Sequence, residues 1–150
     1  MQRTWLWGKT TSRPAMVLSF SAGGGTLDTS LVPGTSLPAD LVFFPGAYPL
    51  RAIVRGRGPV EEMPADMPGA GGIVEATQGY AAALACYPWL ERFPLMLSAV
   101  TPFAQDGDWF VADGQGRQLQ LARRFLHPWT LLAMSGGRPL GIFGEWNGER

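Results

Sequence analysis

Glycine or proline interrupts almost every apolar run of this chain, and that spacing limits what it can become more than any other feature. The twenty glycines and thirteen prolines of the 150 residues lie between apolar runs and do not gather into one low-complexity tract, which is the punctuation of a strand-rich fold with many turns. Ala15 to Ser21 alternates Met16, Leu18 and Phe20 with Val17 and Ser19, the period of a strand with one face buried, and Gly23-Gly24-Gly25 ends it. Leu41 to Phe44 is short, apolar and closed by Pro45-Gly46, and Leu50 to Arg55 resumes the alternation. Both read as strands.

Ile73, Ala76, Thr77, Tyr80, Ala81, Leu84 and Ala85 recur three or four apart, so one principal helix is expected over about 73–87, with Pro88 ending it. Pro88 also suits the first turn of a short following helix through Trp89, Leu90 and Phe93, limited by Pro94. Two hairpins are expected beyond: Asp108 to Ala112 with Arg117 to Ala122, then Trp129 to Ser135 with Leu140 to Trp146 across Gly136-Gly137. The expectation is a single α+β domain over 1–150, mainly antiparallel β hairpins, with a flexible connection at 56–72 where a boundary could fall.

Forty-six per cent of the residues are apolar and 16% charged, which excludes a chain too polar to fold. Twelve basic residues balance twelve acidic ones, so no overall charge draws the chain to nucleic acid or anionic lipid. The charge is uneven along the sequence: 1–57 carry six positive and two negative groups, 58–113 one and eight, 114–150 five and two. Facing segments or water account for that pattern, and a polar partner surface is the competing explanation. A lone cysteine cannot form an internal disulfide, Trp5-Leu6-Trp7 is halted by Gly8 and Lys9 before it resembles a leader, and Tyr80–Leu90 is too short to span a bilayer. The expected location is the cytoplasm, with no membrane partner.

The chemistry-bearing motifs fail when tested. Cys86 and His127 stand 41 residues apart without a second ligand near either, too few for zinc. Cys86 is expected as a small buried thiol and His127 as a loop histidine. Ala133-Met134-Ser135-Gly136-Gly137 lacks the first glycine of a nucleophile elbow, so Ser135 is expected in a plain hairpin turn. Asp106-Gly107-Asp108 has Val111 and Arg117 where a calcium loop needs glycine and glutamate. Gly23-Gly24-Gly25-Thr26 lacks a phosphate-reaching lysine. No catalytic residue, cofactor site or metal site is expected. Core anchoring is the expectation for Trp89, Trp109, Trp129 and Trp146, whereas Trp5 and Trp7, ahead of the first clear strand, suit a neighbouring chain, with Tyr48 in the Pro45–Pro49 loop beside them.

Asp28–Thr35, Phe43–Ala52, Pro88–Pro94, Leu131–Gly137 and Phe143–Gly148 resemble the C-terminal region of bacterial SWIM zinc finger family proteins, over nearly the whole chain. The family's Cys-x-Cys and Cys-x-His element has no counterpart here, so no zinc ligand carries over. The resemblance implies a non-catalytic accessory or protein-interaction domain, truncated or separately encoded. Competing readings are a small-ligand or hydrolytic site near Ser135, His127 and Glu145, or nucleic-acid binding through Arg117, Arg123, Arg124 and Arg138 in concert with a zinc module elsewhere. A protein partner is expected, and nucleic acid is not expected for this chain alone.

Overall fold

The computed structural model describes residues 1–21, 30–63, 65 and 71–148. The glycine run at 23–25 and residues 64 and 66–70 of the expected connection lie outside the described residues. The architecture is α+β, with antiparallel strands in several sheets and two helices. The chain divides into two compact units, Met1–Pro68 and Gly69–Arg150, and the division falls within 56–72.

In the first unit, β1 (Gln2–Gly8) pairs antiparallel with β2 (Arg13–Ser19) in a hairpin closed at Gly8 and Arg13. Sequence reading places Trp5 and Trp7 ahead of the first strand. They lie instead on β1, half-buried, because Gln-Arg-Thr-Trp-Leu-Trp is itself a strand once β2 supplies its hydrogen bonds. Strand β3 (Thr35–Ser36) pairs with β6 (Glu61–Glu62), which forms inside the expected connection, and β4 (Ala39–Phe43) pairs with β5 (Ala52–Arg57). The Met16 amide donates to the Leu50 carbonyl at 2.7 Å and joins β2 to the start of β5. Among the described residues of this unit, Ala15, Leu31, Leu50 and Ala52 are buried apolar side chains. Arg13 lies over the Phe43 ring at 4.1 Å and Arg51 over Phe44 at 4.6 Å, covering aromatic faces that the thin core leaves at the surface.

The second unit holds α1 (Ile73–Cys86), β7 (Phe93–Gln105), β8 (Asp108–Asp113), β9 (Gln118–Gln120), α2 (Pro128–Ser135) and β10 (Leu140–Trp146). Its antiparallel sheet has the order β10-β7-β8-β9, and both helices pack on β7. Ile73, Leu97, Val100 and Val111 form the core, flanked by Ala76, Leu119, Leu121 and Ile142.

Strand β7 carries Pro94 and Pro102, residues that a strand paired on both sides excludes because they donate no ladder bond. The pairing resolves this. Strand β10 covers Phe93 to Val100 and β8 covers Val100 to Gln105, so the two partner strands overlap at Val100 alone. Each proline sits where β7 is locally an edge.

Two expectations are corrected here. The short helix after Pro88 does not form: Pro94 holds Phe93 extended as the first residue of β7, and the few residues left make one turn, closed by Leu90 donating to the Tyr87 carbonyl at 3.2 Å. Trp129 to Ser135 is not a strand of a second hairpin but the helix α2, with Pro128 in its first turn and Gly136 at φ 55° past its end. Its run of apolar residues has no period of its own, so the flanking proline and glycine decide the conformation. Strand β10 pairs with β7 instead.

Helix α1 begins at Gly72, which has no side chain to cap it. Asp113, at the end of β8, lies close to that helix start. Its Oδ1 accepts from the Gln115 amide at 2.9 Å and the Arg117 amide at 3.0 Å, shaping the β8–β9 turn, and the Ile73 amide at the helix start favours the ionised carboxylate. Partial burial pushes the Asp113 pKa up, but these three amides and the Arg117 charge outweigh it and hold the carboxyl below the usual aspartate value. A depressed folded-state pKa stabilises the fold above the unfolded value of about 3.9, and that contribution is lost as pH falls through the folded value. Urea midpoints of the second unit are expected to fall on acidification across that window. Asp113→Asn is expected to start lower at neutral pH and to fall less; an unchanged slope would show that the contacts to Asp113 do not stabilise the unit.

Candidate interaction site

An open cleft of about 450 Å³ lies in the second unit, lined by Asp106, Asp108, Trp109, Arg123, Phe125 and Pro128 among others. Asp106 and Gly107 form the two-residue loop between β7 and β8, at φ 51° and 85°. Both central residues of such a loop need positive φ, which the Asp-Gly pair tolerates better than most others. Trp109 follows on β8, and its carbonyl accepts from the Leu121 amide at 2.8 Å, tying the segment after β9 back to the strand. Arg123 forks onto Asp108, with Nε donating to Oδ1 at 3.2 Å and Nη2 to Oδ2 at 3.3 Å. A turn follows, in which the Phe125 amide donates to the Ala122 carbonyl at 2.8 Å, and His127 precedes α2. The Trp129 ring meets Trp109 edge-on, with centroids 4.9 Å apart and planes at 81°.

Next in sequence to the lining residues Phe125 and Pro128, Leu126 is 83% exposed and Trp129 71%; Met134, further along α2, is 73% exposed. Sequence reading assigned Trp89 and Trp129 to the core. Trp89 stands 81% exposed on the turn after α1, because the helix that was to bury it does not form. Trp129 is the second residue of α2, where only its edge finds cover against Trp109.

The structure places Trp5 and Trp7 on one face of β1, across from Met16 and Pro14. Tyr48 is half-buried and, with Arg13, Pro14, Pro49 and Leu50, lines a small cleft of about 90 Å³. Pro14 therefore lies opposite Trp7 and beside Tyr48. Cys86, expected to be buried, is exposed as the last residue of α1, on a turn whose apolar face has already passed.

Ser135 is buried at the end of α2, where its hydroxyl donates to the Arg138 carbonyl at 2.6 Å. It closes a helix C-terminus, not a hairpin turn, because Gly136 takes the left-handed conformation there. His127 caps the opposite end of α2, roughly 12 Å away at 1.5 Å per residue. Glu145 on β10 accepts from Arg92 at 3.0 Å. The three residues of the hydrolytic reading are thus separately engaged or separated along the helix. Of the four arginines in the nucleic-acid reading, Arg123 is committed to Asp108, and Arg117 contributes its amide and charge to Asp113.

Among the described residues, no three His, Cys, Asp or Glu side chains gather to hold a metal ion. No described helix is long and apolar enough to cross a membrane. The fold defines an α+β protein of two β-rich units with an aromatic cleft in the second. Comparison with protein-family models, with curated proteins and with solved structures finds no match to the chain.

Proposed function

We propose that this chain is a non-catalytic accessory domain of the SWIM zinc finger type that binds a protein partner in the cytoplasm, through the surface formed by α2 and the segment leading into it. The observation that carries the reading is the exposure of Leu126 and Trp129, next in sequence to Phe125 and Pro128 of the cleft lining. Large apolar side chains exposed next to a groove are unfavourable in water, and such places mark interaction sites. Two of the segments that support the family resemblance also meet, Phe93 with Trp146 and Pro94 with Glu145 across β7 and β10. The lone cysteine and the composition support the cytoplasmic assignment.

The test compares the wild-type chain with a Leu126→Ser, Trp129→Ser double variant in crosslinking and capture from source cells, after circular dichroism has shown both folded. A hot-spot residue carries about 2 kcal/mol or more, so the double variant should lose its specific partner by at least about thirtyfold even if a single one of the two is a hot spot. Capture of the same protein at the same level by both chains would sink the reading. A Trp5→Ala, Trp7→Ala chain tested in parallel asks whether β1 supplies the contact instead.

A further inference from the structure

We propose that the cleft between the β7–β8 loop and the start of α2 receives a cationic side chain, lysine or arginine, of the partner polypeptide. This rests on the interaction reading above and specifies the chemistry of the same surface. Three features of the cleft converge on it.

The first is aromatic. Trp109 and Phe125 line the cleft, and Trp129 meets Trp109 edge-on at 81°, fixing the Trp109 ring in place. The negative face of an aromatic ring attracts ammonium and guanidinium groups, an indole most strongly.

The second is charge. The lining holds two carboxylates, Asp106 and Asp108, and one guanidinium, Arg123. Arg123 and Asp108 satisfy each other in a two-pronged fork. Asp106 has no cationic partner among the described residues, although the loop fixes its backbone beside the rings. An anionic guest would meet that carboxylate with the arginine already taken. A purely apolar guest would strip water from the carboxylate and return no hydrogen bond. A cationic guest meets both the carboxylate and the rings.

The third is size and continuity. About 450 Å³ suits one long side chain with its adjoining backbone. Leu126 and Trp129, exposed and next in sequence to the lining residues Phe125 and Pro128, extend beyond what a free amine can cover, which favours a polypeptide as the carrier.

The test follows the Trp109 and Trp129 indole N–H resonances of the full ¹⁵N-labelled chain during titration with four probes: acetyl-Leu-Lys-Leu-amide, its norleucine and glutamate counterparts, and butylammonium. The lysine peptide is expected to shift both resonances saturably, the norleucine and glutamate peptides much less, and butylammonium more weakly than the lysine peptide. Asp106→Asn is the decisive variant, because asparagine accepts the same positive φ and leaves the loop intact. It should weaken the lysine peptide about fivefold, and raised salt should do likewise to the wild type. Equal shifts from the norleucine peptide, an unaltered affinity in the Asp106→Asn chain, or equal binding of butylammonium would each overturn the proposal. No shift from any probe, while the Leu126→Ser, Trp129→Ser chain still loses its partner, would leave the interaction reading standing and remove the cationic assignment. No shift together with unchanged partner capture would remove both.

Discussion

Leu97→Ala is expected to lower the stability of the second unit by about 2–5 kcal/mol, the range for removing a buried leucine side chain where the surroundings cannot close the gap. Leu97 is 3% exposed and belongs to the cluster with Ile73, Val100 and Val111. It also faces Ile142 across to β10, while Gly71 bridges to it in parallel beside the start of α1. Its backbone neighbourhood is therefore fixed on both sides, with the Gly71 amide on the Met96 carbonyl and the Ser98 amide on the Gly71 carbonyl. Collapse into the space left by the lost methyls would have to break those bonds.

A unit of about 80 residues has a small margin, since a single core of that size supplies only about 3–5 kcal/mol. The loss is of the same order as the whole. Leu126→Ala is the control, removing the same atoms from a side chain that is 83% exposed, and it should change stability by less than about 0.5 kcal/mol. Urea unfolding followed at the indole resonances of Trp109 and Trp146 measures both. Equal midpoints for the two variants would show that Leu97 is not part of the core described.

The contrast between these two leucines shows how far sequence alone reaches. Where a period is present the reading holds: α1 follows the three-and-four spacing from Ile73, and β8 and β9 flank the turn of Asp113–Arg117 that glycine spacing marks. Where a run is mostly apolar and without a period, as from Trp129 to Ser135, periodicity is silent and the ends decide; Pro128 and Gly136-Gly137 signal a helix more strongly than a hairpin. Strand β7 was hidden by its prolines. Their positions become intelligible only when the staggered partners β10 and β8 are known, and that stagger is a property of pairing between distant segments.

The candidate site was half legible. Asp106-Gly107 between two runs of strand-forming residues is among the strongest hairpin signals, but read as a calcium loop it leads only to a rejected motif. The fork from Arg123 to Asp108 joins residues 15 apart, and the Trp109–Trp129 contact joins residues 20 apart through a helix that was read as a strand. For tryptophan, residue type alone does not decide exposure: the side chain enters the core or the surface according to what folds over it. Trp89 is left at the surface by the failure of a helix only a few residues long.

In the first unit, Ala15→Asp is expected to remove about 3–5 kcal/mol at neutral pH, the scale on which an unpaired buried charge acts. Ala15 is 1% exposed, pairs with Leu6 in the β1–β2 ladder, and precedes Met16, whose amide holds Leu50. Ala52 is buried to the same degree nearby in the chain's next hairpin, so a carboxylate would enter the least hydrated part of the unit. The arginines at hand, Arg13 and Arg51, already lie over Phe43 and Phe44. Burial would raise the folded-state pKa of the new carboxyl above its unfolded value of about 3.9. The folded state would then hold a proton that the unfolded state has released, and stability would fall by about 1.4 kcal/mol for each pH unit between the two values. The defect should accordingly be smallest in acid and full once the raised value is passed. Ala15→Asn separates size from charge, costing stability without that slope. Unfolding followed at the Trp5 and Trp7 indole resonances reads both variants, and an Ala15→Asp midpoint that does not change with pH would place Ala15 in contact with water and leave the β1 tryptophans without the packed hairpin that holds them.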